Sequence, residues 1–217
     1  SCVNNPRVTR FGTVGPPIPG TQVRIADDGE ILVKGPGVMR GYHNAAEATA
    51  EALKDGWFAT GDIGELDEKG YLRITDRKKD LIKTSGGKYI APQKVEGVLK
   101  AVCPYLSQVI VHADGRKYAT ALITLDPEAI EGWAKEEGLS YSSVAELARS
   151  QEVHDLIDGF VAQGNQELER WETIKKFEIL ATELSVDEGE VTPSMKVRRK
   201  AVEKKYADVL NSMYDAD

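Results

Sequence analysis

The chain has 217 residues, 41% of them hydrophobic, with a formal charge of -7 from 28 basic and 35 acidic side chains. That is enough apolar material for one large or two smaller folded cores, and the acidic balance argues against a nucleic-acid binder. No run of about 18 apolar residues offers a membrane-spanning helix. Cys2 and Cys103 give no disulfide framework and stand in no metal-ligand spacing with His43, His112 and His154.

The first 76 residues read as β. TQVRIA at 21–26 and EILVKG at 30–35 alternate apolar and polar residues around an Asp27-Asp28-Gly29 turn, a hairpin pattern. AAEATAEAL at 45–53 predicts a short helix that stops at Asp55-Gly56. A second hairpin joins IGELDE (63–68) to YLRITD (71–76) through Lys69 and Gly70. These pieces make a small β unit without the strands that would close it.

Beyond Asp76 helical and strand patterns mix. Pro92 suits the first position of the helix PQKVEGVLKAV, because its missing N–H costs nothing there. LSQVIVHA (106–113) and KYATALITLD (117–126) form a long hairpin around Asp114-Gly115-Arg116. Helices are predicted over 127–138 and 142–170; the second repeats Val153, Leu156, Ile157, Phe160, Val161 and Leu168 at helical spacing, with Gly159 and Gly164 weakening it. KKFEILA (175–181) reads as a strand, and a last helix starts near 198. The fold class is α+β: an incomplete small β unit over 1–76, then a compact α+β domain over 77–217.

Charge is unevenly spread. Residues 77–100 carry seven Lys or Arg against two acids, and residues 193–206 carry six against Glu203. Two basic islands on an acidic body can concentrate a polyanion such as a nucleotide. Asp62, beside Gly61, could accept both hydroxyls of a ribose, and equally fits a turn-forming role between a helix-like segment and a strand. Arg77 lies just past a strand and could reach the same sugar. TSGGK (84–88) bares backbone N–H groups to a phosphate or a pantetheine chain, or is simply a hairpin turn. PSMK (193–196) places Lys196 in a Gly, Pro and Ser-rich loop, either solvated or delivered into a cleft by a moving segment.

Three stretches occur in order: GEILVKGPGVMRGYHN (29–44), DGWFATGDIGELDEKGYLRITDRKKDLIKTSGGKYIAPQKVE (55–96) and EVTPSMKVRRK (190–200). Together they resemble the later motifs of the adenylate-forming superfamily of acyl-CoA synthetases, luciferases and peptide-synthetase adenylation domains. Over 165–206 the chain is most similar to bacterial long-chain fatty acyl-CoA synthetases, whose lysine motif likewise lacks the glycine before the lysine, here Met195.

The resemblance implies an ATP-dependent conversion of a fatty acid to acyl-AMP plus pyrophosphate, then transfer to CoA with release of AMP. It implies that Asp62 holds the ribose and Arg77 assists it, and that Lys79 is the hinge of a mobile C-terminal cap. Lys83 would lie near the adenylate in the second conformation, and Ser85 and Gly86 would line the pantetheine channel. Lys196 would be the catalytic lysine of adenylation. The family's phosphate loop, adenine-binding segment, acyl tunnel and Mg2+-binding glutamate have no match here, and no metal ligand is assigned. The expectation is therefore the C-terminal part of a larger enzyme, inactive without its missing N-terminal part. The opening SCVNNPRVTRFG, which reads like the interior of a protein, fits that expectation.

A cytoplasmic setting is expected, with peripheral contact at the inner face of a membrane because the substrates are fatty. Nucleic acid is not an expected partner. Two alternatives stand beside this reading. One is a fatty acyl-AMP ligase that loads a carrier protein, although its usual insertion is not obvious between Gly61 and Lys94. The other is a non-catalytic module retaining the fold, against which intact Asp62, Arg77, Lys83, Gly86 and Lys196 speak.

Overall fold

Alternating apolar residues build the first sheet. In the computed structural model, which describes residues 1–6 and 8–215, the chain divides into two units, Ser1–Leu81 and Ile82–Asp217. In the first, β1 (Gln22–Ile25) pairs antiparallel with β2 (Glu30–Lys34), with Val23 opposite Val33. A short helix α1 (Ala46–Ala52) runs into β3 (Leu53–Lys54), followed by β4 (Trp57–Leu66) and β5 (Leu72–Arg77). The strand order is β1-β2-β4-β3, with β5 against β4.

The core of this unit is small: Ile31, Val33 and Leu72, with Val23, Ile25, Val38 and Leu66 packed around them. β4 begins earlier than the sequence pattern suggests, at Trp57, and so Asp62 lies inside a strand rather than at a turn between elements. Gly64 marks where β5 crosses closely: a Cβ there would sit 2.3 Å from the Arg73 carbonyl oxygen and 2.7 Å from Ile31 Cδ1. A single 3-10 turn, Lys78–Asp80, follows β5.

The second unit opens with the small hairpin β6 (Ile82–Lys83) and β7 (Tyr89–Ile90). Helix α2 (Pro92–Val102) starts at the proline, as its N–H chemistry predicts. β8 (Leu106–His112) runs antiparallel to β9 (Ala119–Leu125), and β10 (Ile174–Ile179) lies parallel to β9 on its other side. Between β9 and β10 come α3 (Pro127–Glu136), α4 (Val144–Leu147) and α5 (Gln151–Asn165). After β10 the chain closes with α6 (Arg199–Lys205) and α7 (Ala207–Ser212).

Every residue of β9 is buried. Ala119, Ala121, Ile123 and Leu125 face the larger core with Val95, Leu99, Ile130, Val153 and Ile157 from the helices. Leu122 belongs to a second core with Ile110, Leu180, Leu184, Val191, Val202, Leu210 and Met213. This is the period-two pattern of a strand covered on both faces. Its buried hydroxyls are satisfied: Thr124 Oγ1 accepts from Gln108 N at 3.0 Å, and Thr120 Oγ1 lies 3.0 Å from the Tyr214 hydroxyl.

The stretch expected as one helix over 142–170 is two. Ser143 Oγ accepts from Glu146 N at 3.2 Å and Ser150 Oγ from Val153 N at 3.2 Å, so each serine caps a separate helix. α5 ends at Asn165, whose side-chain amide bonds both the N–H and the carbonyl of Ile174 at 2.9 Å. Leu168 falls beyond the helix yet still packs on the core. Gly164, unfavourable in a helix by propensity, is where α5 meets α2: a Cβ would lie 2.6 Å from Leu99 Cδ2. Among the described residues, no helix is long and apolar enough to cross a membrane.

The crossing at Gly64 can be tested directly. Gly64→Ala is expected to destabilise the first unit by about 1–3 kcal/mol, the usual size of an overpacking penalty. Urea unfolding followed by tryptophan fluorescence measures it, since Trp57 lies in the same sheet.

Candidate functional site

The first cluster is built on an irregularity in β4. Glu30 pairs with Ile63 and Leu32 with Ala59. Ile31 alone therefore spans the stretch in which β4 must fit Thr60, Gly61 and Asp62. The surplus residues bulge out of the ladder, and Gly61 takes φ +73, a left-handed conformation that glycine adopts without a Cβ penalty. The bulge amides find side-chain acceptors instead. Gly61 N donates to Glu30 Oε1 at 2.9 Å and Asp62 N to Thr60 Oγ1 at 3.1 Å, while the Thr60 hydroxyl donates to the Ile31 carbonyl at 2.8 Å.

The bulge leaves Asp62 opposite Arg77, with Arg77 Nε 3.2 Å from Asp62 Oδ1. The arginine side chain is 59% exposed, so this pair adds little stability. Its effect is orientation: a carboxylate and a guanidinium face solvent side by side. Lys78 Nζ sits 2.7 Å from both Asp28 Oδ2 and Glu30 Oε2. Hydrogen bonds to Asp28 and then Glu30 hold the Lys78 ammonium above its usual range, and the bond from Lys78 holds Asp28 below the usual carboxylate range. Lys79 occupies the same 3-10 turn and is exposed.

The second cluster is the turn between β6 and β7. Thr84 N donates to the Lys88 carbonyl at 2.9 Å, Lys88 N to Thr84 Oγ1 at 3.1 Å, and Gly87 N to the Thr84 carbonyl at 2.9 Å. The two glycines differ in what they require. Gly87 has φ +77 and needs to be glycine for conformational reasons. Gly86 lies outside the left-handed region, and a Cβ there would meet only Thr84 Oγ1 at 4.0 Å. The fold of this unit thus leaves position 86 open to a side chain.

This turn is held from behind by a brace that the sequence reading missed. Gly115 N donates to the Lys83 carbonyl and Ser85 N to the Arg116 carbonyl, both at 2.9 Å. The Arg116 guanidinium in turn bonds Asn211 Oδ1 and lies 4.6 Å from the Tyr214 ring centroid. Asp114-Gly115-Arg116 is visible in the sequence as a turn, but no local signal says what it supports. Lys83 and Lys88 lean on aromatic faces, 5.8 Å from Tyr89 and 4.8 Å from Trp171.

The third cluster carries Lys196. The sequence suggests a loose loop; the structure shows a closed turn. Val191 and Val197 form an antiparallel bridge, Thr192 N donates to the Lys196 carbonyl at 2.8 Å and Lys196 N to Thr192 Oγ1 at 3.1 Å. Met195 takes φ +59, a left-handed conformation that costs a residue with a Cβ about 1–2 kcal/mol.

The Lys196 turn is anchored through Glu190, whose residue is 2% exposed. Its carboxylate accepts from Ser185 N and from Lys205 Nζ, both at 2.9 Å, and its carbonyl accepts from Arg198 N at 2.7 Å. Burial alone would raise the Glu190 pKa; the Lys205 ammonium, the Ser185 N–H and Tyr206 outweigh it and hold it low. Arg199 adds a second anchor, with Nη2 2.6 Å from Glu96 Oε1 and Nη1 2.7 Å from the Val111 carbonyl. The Lys196 side chain itself is exposed.

The structure thus brings Asp62 and Arg77 into contact, with Lys79 in the adjoining turn. Lys83, Ser85 and Gly86 share one hairpin of the second unit. Lys196 sits on another, and among the described residues no hydrogen bond or ion pair joins it to the glycine turn.

A family model described as AMP-binding enzyme C-terminal domain matches residues 79–217. The long-chain-fatty-acid-CoA ligase FadD15 of Mycobacterium tuberculosis is 46% identical over 209 residues, covering 96% of this chain and 35% of its own length. Human long-chain-fatty-acid-CoA ligase 1 is 33% identical, covering 98% of this chain and 32% of its own. The chain thus spans about a third of the length of the curated relatives it matches. Among solved structures, the adenylation domain of a carboxylate reductase from Mycobacterium chelonae aligns with a TM-score of 0.66 at 23% identity, over 97% of this chain and 33% of that one. The o-succinylbenzoate CoA synthetase of Bacillus subtilis, solved with its acyl-adenylate intermediate, aligns at 0.59 and 27% identity, over 89% of this chain and 36% of that one.

The Glu190 anchor has a pH signature. Because its folded pKa is depressed, its charged form contributes stability that is fully present above the ordinary glutamate pKa and is lost as pH falls through the lower folded value. Glu190→Gln is expected to lower the thermal midpoint at neutral pH, with the gap from wild type closing below that folded value. Thermal scans across the acid range read this out.

Proposed function

Because the chain belongs to the AMP-binding enzymes, with residues 79–217 as their C-terminal domain, we propose that it works as the C-terminal part of a long-chain fatty acid-CoA ligase. The observation that carries the reading is the Asp62–Arg77 pair, set facing solvent by the β4 bulge and followed by Lys79. In this proposal residues 1–76 end a large domain and residues 77–217 form a cap that swings about Lys79. The two compact units divide two residues further on, between Leu81 and Ile82.

The Asp62 carboxylate accepts hydrogen bonds from the ribose hydroxyls of ATP, and Arg77 fixes the orientation of that carboxylate and reaches the same sugar. In the first half-reaction a fatty carboxylate attacks the α-phosphate and pyrophosphate leaves. Lys196 supplies positive charge to the phosphoryl oxygens as negative charge gathers on them, an effect worth about 3–4 kcal/mol for a well-placed donor. The closed turn beneath it keeps the lysine at a fixed place on the cap. In the second half-reaction the CoA thiolate attacks the acyl-adenylate carbonyl and AMP leaves, with Lys83 near the adenylate. Ser85 and Gly86 line the pantetheine path; a residue without a side chain that its own fold does not demand suits a chain passing close to the backbone.

Among the described residues no group of three or more His, Cys, Asp or Glu side chains is placed to hold a metal ion. No step here passes through a metal. Fatty acids partition into bilayers, and the basic islands would draw an anionic surface, so the proposal includes cytoplasmic enzyme with peripheral membrane contact.

The test is an assay of the full-length protein with ATP and a series of fatty acids, with and without CoA, following AMP and thioester separately. Adenylate formation without CoA and thioester only with it is the expected pattern; no fatty-acid-dependent AMP in any condition would sink the proposal. In the same assay Lys196→Ala is expected to abolish acyl-adenylate formation and to spare thioester formation from supplied acyl-adenylate. Gly86→Ala is expected to leave thermal stability unchanged while slowing the thioester step, and a variant that keeps both its stability and its thioester rate removes Gly86 from the pantetheine path.

A further inference from the structure

Glu30 is a charged residue out of the water, 8% exposed, in a unit with a small core. Such a side chain is tolerated only where its oxygens meet donors. Both of its oxygens do. Oε1 accepts from Gly61 N at 2.9 Å, inside the bulge, and Oε2 lies 2.7 Å from Lys78 Nζ, in the turn that also carries Lys79. The ladder between β2 and β4 breaks between Glu30 and Leu32. The Glu30 side chain therefore does for the Gly61 amide what a strand partner would otherwise do.

We propose that Glu30 is a positioning residue for nucleotide binding: by holding the Gly61 amide and Lys78 at once, it fixes the bulge that presents Asp62 and ties it to the turn before the pivot. This rests on the reading of Asp62 as the ribose-binding carboxylate. Two ribose hydroxyls demand a carboxylate in a defined place and plane, and Asp62 inherits both from the residue before it. Gly61 has no side chain to resist a change of φ, so without its acceptor the bulge can relax. The Asp62–Arg77 pair, mostly solvated on the arginine side, is too weak to hold the bulge by itself. Lys78 Nζ, 2.7 Å from Glu30 Oε2, brings the opposite charge to the second oxygen and leaves the first to the Gly61 amide.

The experiment uses the full-length enzyme with Glu30→Ala, which removes both bonds, and Glu30→Gln, which keeps an acceptor for the Gly61 amide. Two quantities are read: hydrogen exchange of the peptide containing Gly61, and the KM for ATP against kcat in pyrophosphate exchange. Glu30→Ala is expected to speed exchange at the bulge and raise the KM for ATP about tenfold, the scale of a lost hydrogen bond to a charged group, with kcat changed less than about threefold. Glu30→Gln is expected to recover most of both. Faster exchange in Glu30→Ala with an unchanged KM overturns the proposal, as does an equal loss of kcat in both variants. Wild-type enzyme that shows no pyrophosphate exchange overturns the functional reading itself, and Glu30 with it; that failure is seen before any variant is made.

Discussion

β9 is buried on both faces, and the second unit is organised around that constraint. A strand in that position must offer apolar side chains to two cores at once, and it can do so only if helices cover one face and the returning chain covers the other. α2, α3 and α5 cover the first; the segment from Leu180 to Met213 covers the second. The candidate functional segments hang from the edges of this arrangement. The glycine turn leans on the β8–β9 connection, and the Lys196 turn begins at Val191, a member of the second core. The same mixed sheet that gives the domain its stability therefore sets where its lysines and glycines stand.

In both units a buried glutamate does work that a regular ladder cannot. Glu30 takes the amide of a bulge, and Glu190 takes the amide of Ser185 together with the Lys205 ammonium. Each lies next to an irregular stretch of backbone that carries a candidate functional residue. Irregular backbone leaves N–H groups without partners, and a carboxylate is the strongest acceptor the chain can supply. Glu30 and Glu190, which look out of place in the interior, are thus what allows the backbone to leave regular geometry beside Asp62 and Lys196.

Much of this was legible in the sequence where the controlling physics is local. Pro92 marks the start of α2, the Asp-Gly turn marks the β1–β2 hairpin, and two apolar runs flanking Asp114-Gly115-Arg116 mark β8 and β9. The reading fell short where a distant partner decides. The β4 bulge exists because β2, some thirty residues earlier, pairs on both sides of it, so Asp62 looked like a turn residue. The break between α4 and α5 is set by serine caps while the apolar spacing runs on across it. Lys196 looked loosely held because a run of Gly, Pro and Ser says nothing about the Val191–Val197 bridge. Among the candidate residues, their chemical types could be read from the motifs, but not their supports: Glu30, Glu190 and Arg116 reach across the chain to what they hold.

The contact between Asp62 and Arg77 also shapes how the surface meets an anion. A lone carboxylate would repel a polyphosphate at long range, with a field that only salt would damp. Paired with a guanidinium at 3.2 Å, it presents a dipole. A dipole's field dies away more steeply with distance than that of a single charge, so an approaching anion is neither held off nor drawn in by this spot until it is nearly touching. In the role proposed for Asp62, discrimination there is by contact alone: a group that can give two hydrogen bonds to the carboxylate is kept, and one that cannot drifts past.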